Sequence, residues 1–218
     1  MQRAAALKQG YTTGARSLAS RSISGLARTR VTPNALTTIG VLLCAAASIL
    51  VLFENRHELL FYWLAAVVFV AGSVLDILDG ALARAGGKTT PFGAFLDSTT
   101  DRISEGFMLT AIAYVFARHG RDVFVAVAMA AVAGSFLVSY TRARAEALGL
   151  RGDVGIGSRA ERVVVITAGL VFAPWGVLPY AIGLLAATAW FTVGQRVWSV
   201  RRQLRQRANE AVREDRDA

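Results

Sequence analysis

Long apolar blocks leave this chain few folds to choose from. A helix that crosses a bilayer needs about 20 mainly apolar residues, because lipid offers backbone amides no partners outside the element itself. Blocks at 33–53, 59–84, 94–117, 123–147 and 178–200 reach that length, and a shorter one at 162–173 ends beside Ala173-Pro174-Trp175-Gly176. Pro33 suits the opening turn of a helix. The pattern predicts an all-α membrane protein with six transmembrane helices over 32–200, a basic segment at 1–31 and a charged tail at 201–218. Soluble domains average about a quarter charged residues; here the share is 18% and the mean hydropathy is +0.45. No soluble domain, internal repeat or low-complexity tract is visible.

Charge then sets orientation. The net charge is +9, which fits either nucleic acid or an anionic membrane surface. The apolar blocks select the membrane, so anionic lipids are expected partners and nucleic acid is not. Segment 1–31 carries Arg3, Lys8, Arg16, Arg21, Arg28 and Arg30 with Leu18, Ile23 and Leu26 between them. It reads equally as an interfacial amphipathic helix or as a disordered basic tail. It has no apolar signal-peptide core, so the first span is expected to be an uncleaved anchor. Segments before span 1, between spans 2 and 3, between 4 and 5 and after 6, taken with the adjoining span ends, carry 6, 2, 5 and 7 Lys/Arg. The opposite side has Arg56, Arg118 and Arg121, and Arg102 lies inside span 3. The positive-inside rule therefore places both termini in the cytoplasm. The lone Cys44 excludes an intrachain disulfide and a cysteine metal cluster.

Four carboxylates then ask for an explanation. Asp76 and Asp79 lie at the cytoplasmic end of span 2, and Asp97 and Asp101 at the start of span 3. Insertion scales put a charged side chain at about 2.5–3.5 kcal/mol at a helix centre, less near an interface. Spacings of three and four place each pair on one helix face. A short connection lets the two helices pack antiparallel, so that both pairs enter one gap. Cations between them would relieve the repulsion. With no histidine or cysteine near, all-oxygen ligation suits magnesium, manganese or calcium. Gly80, Ala83 and Gly93 leave the adjoining faces open, and Arg84 supplies a planar cation suited to phosphate. Together these describe a site for a diphosphate. Taken singly, an intramembrane aspartate also serves as a proton relay or helix-pairing group, and Gly or Ala usually serves helix packing.

The stretch resembles the signature of the CDP-alcohol phosphotransferases, D-x-x-D-G-x-x-A-R followed by G-x-x-x-D-x-x-x-D. Every fixed position is present, at Asp76, Asp79, Gly80, Ala83, Arg84, Gly93, Asp97 and Asp101. Thr32-Pro33-Asn34 with Thr37 is similar to the family's first-helix opening. The resemblance implies transfer of a phosphatidyl group from a CDP-linked lipid, CDP-diacylglycerol, to an alcohol, with release of CMP. It implies two divalent cations, magnesium or manganese, held by Asp76, Asp79, Asp97 and Asp101, with Asp101 as the general base. Pro33, Asn34, Thr37, Asp79, Gly80, Ala83, Arg84 and Gly93 would contact the CDP-lipid. It further implies a homodimer, with the active site at the cytoplasmic face of the cell membrane.

A second stretch bears on the acceptor. Ser139 and Arg142 are three apart near the end of span 4, Arg162 opens span 5, and Arg196 ends span 6. Clustered arginines suit a phosphorylated acceptor, or equally an anionic lipid surface. The set resembles the family subset of actinobacteria and archaea that uses inositol 1-phosphate, which implies that Ser139, Arg142, Arg162 and Arg196 bind the acceptor phosphate. Arg142 stands where the bacterial enzymes are expected to have lysine. Alternatives are a glycerol 3-phosphate enzyme of phosphatidylglycerophosphate synthesis and an enzyme making the archaeal ether-lipid analogue. Outside the enzymes, the alternatives are a divalent-cation transporter and a scaffold with an orphan metal site.

Overall fold

The computed structural model describes residues 33–85, 90–156 and 158–217, with side chains described except at 33–34, 81–85 and 211–217. The expected interfacial helix at 1–31, and the side chains of Pro33, Asn34, Ala83 and Arg84, lie outside the described residues. Six helices follow one another: α1 Pro33–Val51, α2 Glu58–Ala85, α3 Pro91–Arg118, α4 Asp122–Ala147, α5 Arg159–Val171 and α6 Leu178–Asp217. A 3-10 turn, Ala173–Trp175, separates α5 from α6. Among the described residues there is no strand.

Each helix coincides with an apolar block, and the stretches Glu58–Gly80 of α2 and Asp122–Ala147 of α4 are long and apolar enough to cross a membrane. Both present large apolar side chains outward, including Val67 and Ile77 on α2 and Val123, Met129 and Phe136 on α4. A soluble monomer seldom exposes so much contiguous apolar surface. α6 runs past residue 200 without interruption to Asp217, since no Gly or Pro occurs from 201 to 217 to end it.

The helices form a ring. Neighbours run α2, α1, α3, α4, α6, α5, and α5 closes back on α2. At the centre Met108, Leu109 and Ile112 of α3 meet Ile166 and Leu170 of α5 and Ile182 and Leu185 of α6, all essentially inaccessible. The ring corrects one expectation: α2 and α3 do not pack along their length, because α1 lies between them. The reason is a close approach of α1 and α2. A Cβ on Gly72 would stand 2.8 Å from both the Gly40 carbonyl oxygen and Cys44 Sγ. Only a residue without a side chain lets these backbones meet.

The end of the bundle away from the aspartates is closed by charge. Glu54 in the α1–α2 turn is buried and pairs with Arg118 and, at 3.1 Å, with His119 Nε2. Arg118 Nη1 also donates to the Leu52 carbonyl at 3.0 Å. The turn is thereby fastened to the last turn of α3.

Gly72→Leu should push α1 off α2 and cost about 2 kcal/mol or more, in the range for overpacked cores. Thermal unfolding in a fixed detergent measures this, and an unchanged midpoint would refute the close-approach account.

Candidate active site and metal centre

Four segments converge near the open end of the ring. α2 brings Asp76 and Asp79, which are only 4% and 3% exposed. α3 brings Asp97 and Asp101, half-buried. α1 brings Thr37, and the start of α5 brings Arg159 and Arg162. Carboxylate oxygens of Asp76, Asp97 and Asp101 all lie within 4.8 Å of one another. Three acids so close, from two helices, mark a built site.

Asp79 is placed differently. Its Oδ2 accepts a hydrogen bond from Thr37 Oγ1, which ties α1 to α2 beside the cluster. The three grouped acids are thus Asp76, Asp97 and Asp101, with Asp79 alongside on the α1 wall.

Arg159 balances much of this charge. Its guanidinium pairs with Asp76 Oδ2 and reaches Asp101 Oδ1 at 2.5 Å. The Asp101 contact lacks hydrogen-bond geometry, so this buried oxygen keeps an unused acceptor. As a guanidinium, Arg159 is a cation at neutral pH. Local sequence fixes its position. Ser158 is the N-cap of α5, its Oγ accepting from the Glu161 amide at 3.4 Å while Glu161 Oε2 accepts from the Ser158 amide at 2.6 Å. This capping box sets the first turn and aims Arg159 across to α2 and α3.

Arg162, one turn on, donates from Nε to Glu105 Oε1 at 2.8 Å, and both side chains are about one-tenth exposed. Glu105 extends the acidic stripe of Asp97 and Asp101 by another turn. Arg159 and Glu105 were not singled out in the sequence. Their signals were the Ser-x-x-Glu box around Arg159 and the four-residue step from Asp101 to Glu105.

The other expected acceptor residues separate. Ser139 and Arg142 of α4 line a cleft of about 860 Å³ together with Asp97, Asp101 and Arg102 of α3. Arg142 Nε donates to Glu146 at 2.9 Å on the cleft wall. Arg162 lies instead in a small polar recess with Ser104, Glu105 and Arg159. Arg196 donates to the carbonyls of Val154, at 2.8 Å, and Val138, binding α6 to the α4–α5 segment. Gly93 sits at the start of α3, where its amide donates to Thr90 Oγ1 at 3.0 Å. Gly80 is half-buried beside Asp79 on α2.

The match to known proteins agrees with this geometry. A family model described as CDP-alcohol phosphatidyltransferase covers residues 30–199. The chain belongs to that family. It is 42% identical over 183 residues to a phosphatidylinositol phosphate synthase of Mycobacterium marinum, covering 81% of this chain and 76% of that one. It is 38% identical over 180 residues to an archaetidylinositol phosphate synthase of Pyrococcus horikoshii, covering 82% and 88%. The solved phosphatidylinositol phosphate synthase of Mycobacterium tuberculosis with CDP-DAG bound superposes with a TM-score of 0.74 at 34% identity, over 84% of this chain and 94% of that one. The same enzyme in complex with manganese and citrate gives 0.73 at 35% identity, over 84% and 88%. This chain is therefore an enzyme of a membrane-associated family, and the matched region contains the acidic stretch of α2 and α3.

The donor set fits a hard divalent cation. It is all carboxylate oxygen, the oxygens converge, and Asp101 Oδ1 has an acceptor site to spare. Replacing Asp97 or Asp101 by Asn should weaken Mn²⁺ binding by about tenfold or more, because affinity follows the number of anionic ligands. Electron paramagnetic resonance of free Mn²⁺ reads this out, and wild-type affinity in both variants would exclude the cluster as a metal centre.

Proposed function

We propose that this enzyme transfers the phosphatidyl group of CDP-diacylglycerol to inositol 1-phosphate, forming phosphatidylinositol phosphate and releasing CMP. The observation that carries the reading is the convergence of Asp76, Asp97 and Asp101 beside the cleft that also holds Ser139 and Arg142. In the reaction, an inositol hydroxyl oxygen bonds to the lipid-bearing phosphorus. The bond from that phosphorus to the oxygen bridging the diphosphate breaks, and CMP departs with that oxygen.

Two divalent cations, magnesium or manganese, when bound by Asp76, Asp79, Asp97 and Asp101, supply charge stabilisation at the diphosphate. Asp101, at the junction of cluster and cleft, takes the proton of the attacking hydroxyl. Thr37 holds Asp79 through its hydrogen bond. Pro33, Asn34, Thr37, Gly80, Ala83, Arg84 and Gly93 would flank the CDP-lipid, as the family resemblance implies. Ser139 and Arg142 take the acceptor phosphate, Arg142 offering a planar fork matched to it. Arg162, paired with Glu105, and Arg196, bonded to the Val154 and Val138 carbonyls, lie outside the lining of this cleft and would join the acceptor set by turning toward it.

The helices cross the membrane six times within 32–200, with both termini and the aspartate end cytoplasmic. The Lys/Arg asymmetry and the exposed apolar flanks of α2 and α4 support this. The enzyme functions as a homodimer in contact with anionic lipids.

Purified enzyme given CDP-diacylglycerol and Mg²⁺ should release CMP when inositol 1-phosphate is added, and EDTA should stop it. Release with glycerol 3-phosphate alone would overturn the acceptor, and no release with any alcohol would overturn the enzymatic reading. Loss of a general base typically costs about 10²–10⁴-fold, so Asp101→Asn should fall at least that far. A rate near wild type would remove Asp101 from the chemistry.

A further inference from the structure

α6 continues beyond its span, and this extension forms a second concavity with α4. The groove measures about 570 Å³ and lies at the same end of the bundle as the aspartates. Its floor includes Val197, Val200 and Leu204, and its rim carries Arg144, Arg201 and Arg205. No Asp or Glu lines it. Among the described residues these three arginines have no ion-pair partner.

The groove is built into the fold. Gln203 Oε1 accepts from the Arg151 amide at 2.9 Å, and its Nε2 donates to the Arg151 carbonyl at 3.0 Å. Arg207 donates to the carbonyls of Leu148 and Gly149. These bonds hold the α6 extension across the end of α4, so the two walls keep their spacing without a ligand.

The chemistry is graded along α6. Val197 and Val200 lie where the span ends. Arg201 and Arg205 follow one helical turn apart, a few ångströms further out at 1.5 Å per residue. That order, apolar then cationic, matches acyl chain then phosphate.

We infer that this groove binds one anionic phospholipid molecule, its phosphate held by Arg144, Arg201 and Arg205 and an acyl chain along the α6 floor. The inference rests on the membrane orientation proposed above; the groove adjoins the aspartate cleft, sharing Tyr140 with it, and Arg196 stands at its inner wall, but it holds none of the aspartates. Charge excludes the obvious protein occupants. The chain's own 1–31 segment has six Lys/Arg and no acid. A second copy of this chain, net +9, would set arginine against arginine if it docked here about a two-fold axis.

The test uses the full chain in phosphatidylcholine nanodiscs containing a photo-crosslinking phosphatidylglycerol, with no CDP-lipid present. Crosslinks should fall on the 140–148 and 197–208 peptides. Unlabelled phosphatidylglycerol should compete and phosphatidylcholine should not. Arg201→Gln with Arg205→Gln should lower apparent affinity about thirtyfold, the loss expected for two basic side chains near an anionic surface. Ala208→Trp, which fills the groove without changing charge, should also reduce labelling, whereas Arg202→Gln, off the groove, should not. Unfolding midpoints in the same discs verify that each variant is folded. Equal competition by phosphatidylcholine, labelling indifferent to both groove changes, or crosslinks to a second copy or to 1–31 would each overturn the site. CMP release, measured on parallel discs of the same variants given CDP-diacylglycerol, Mg²⁺ and inositol 1-phosphate, reports separately on the proposed reaction.

Discussion

The arrangement turns on acidic side chains held out of water. Asp76 is almost wholly buried and faces Asp97 and Asp101 across a gap of a few ångströms. Like charges at that separation need positive charge between them. The chain supplies one such charge itself, Arg159, delivered by the capped start of α5. Its guanidinium pairs with two of the acids, and at Asp101 Oδ1 the contact is an ion pair without hydrogen-bond geometry. Three carboxylates against one guanidinium leave the cluster net negative, which favours a divalent cation.

This demand explains the helix order. If α2 and α3 packed tightly, their facing side chains would fill the space that the reacting groups need. Seating α1 against α2 through Gly40 and Gly72 holds α2 firmly while its Asp76 faces the acids of α3 across a gap. Thr37 on the same helix then reaches Asp79. α1 is thus both a spacer and a source of site contacts. The opposite end of the bundle needs no such opening, and there Glu54, Arg118 and His119 lock the turns together. Rigidity at one end and access at the other come from the same six helices.

The helices were legible because apolar blocks bounded by charge have few alternatives in lipid. The aspartates were legible because carboxylates in such blocks are costly and their spacing puts them on one face. The ring order was not legible. It depends on a contact between glycines 32 positions apart, and glycine in an apolar run gives no sign of which helix it admits. Arg159 was also hidden. Arg159 and Arg162 stand three apart at one helix start, and only the rotation of α5, set by the Arg162–Glu105 pair and the Ser158 cap, decides which reaches the aspartates. Arg196 reads in sequence as one more cation at a span end, yet its two carbonyl contacts give it a structural position.

The length of α6 follows a related logic. A transmembrane helix could stop at the headgroups, and the 201–210 stretch is too polar to be held by burial. It stays helical because Gln203 and Arg207 bond to the backbone after α4, which also satisfies carbonyls at a helix end that has no intrahelical partners left. Of the arginines not used in this way, Arg201 and Arg205 face the groove and Arg202 does not. The distinction between them is one of helix face rather than residue type. An arginine-rich tail read from composition alone would have been a uniform basic surface; folded, it divides into side chains that fasten the helix and side chains left to meet an anion.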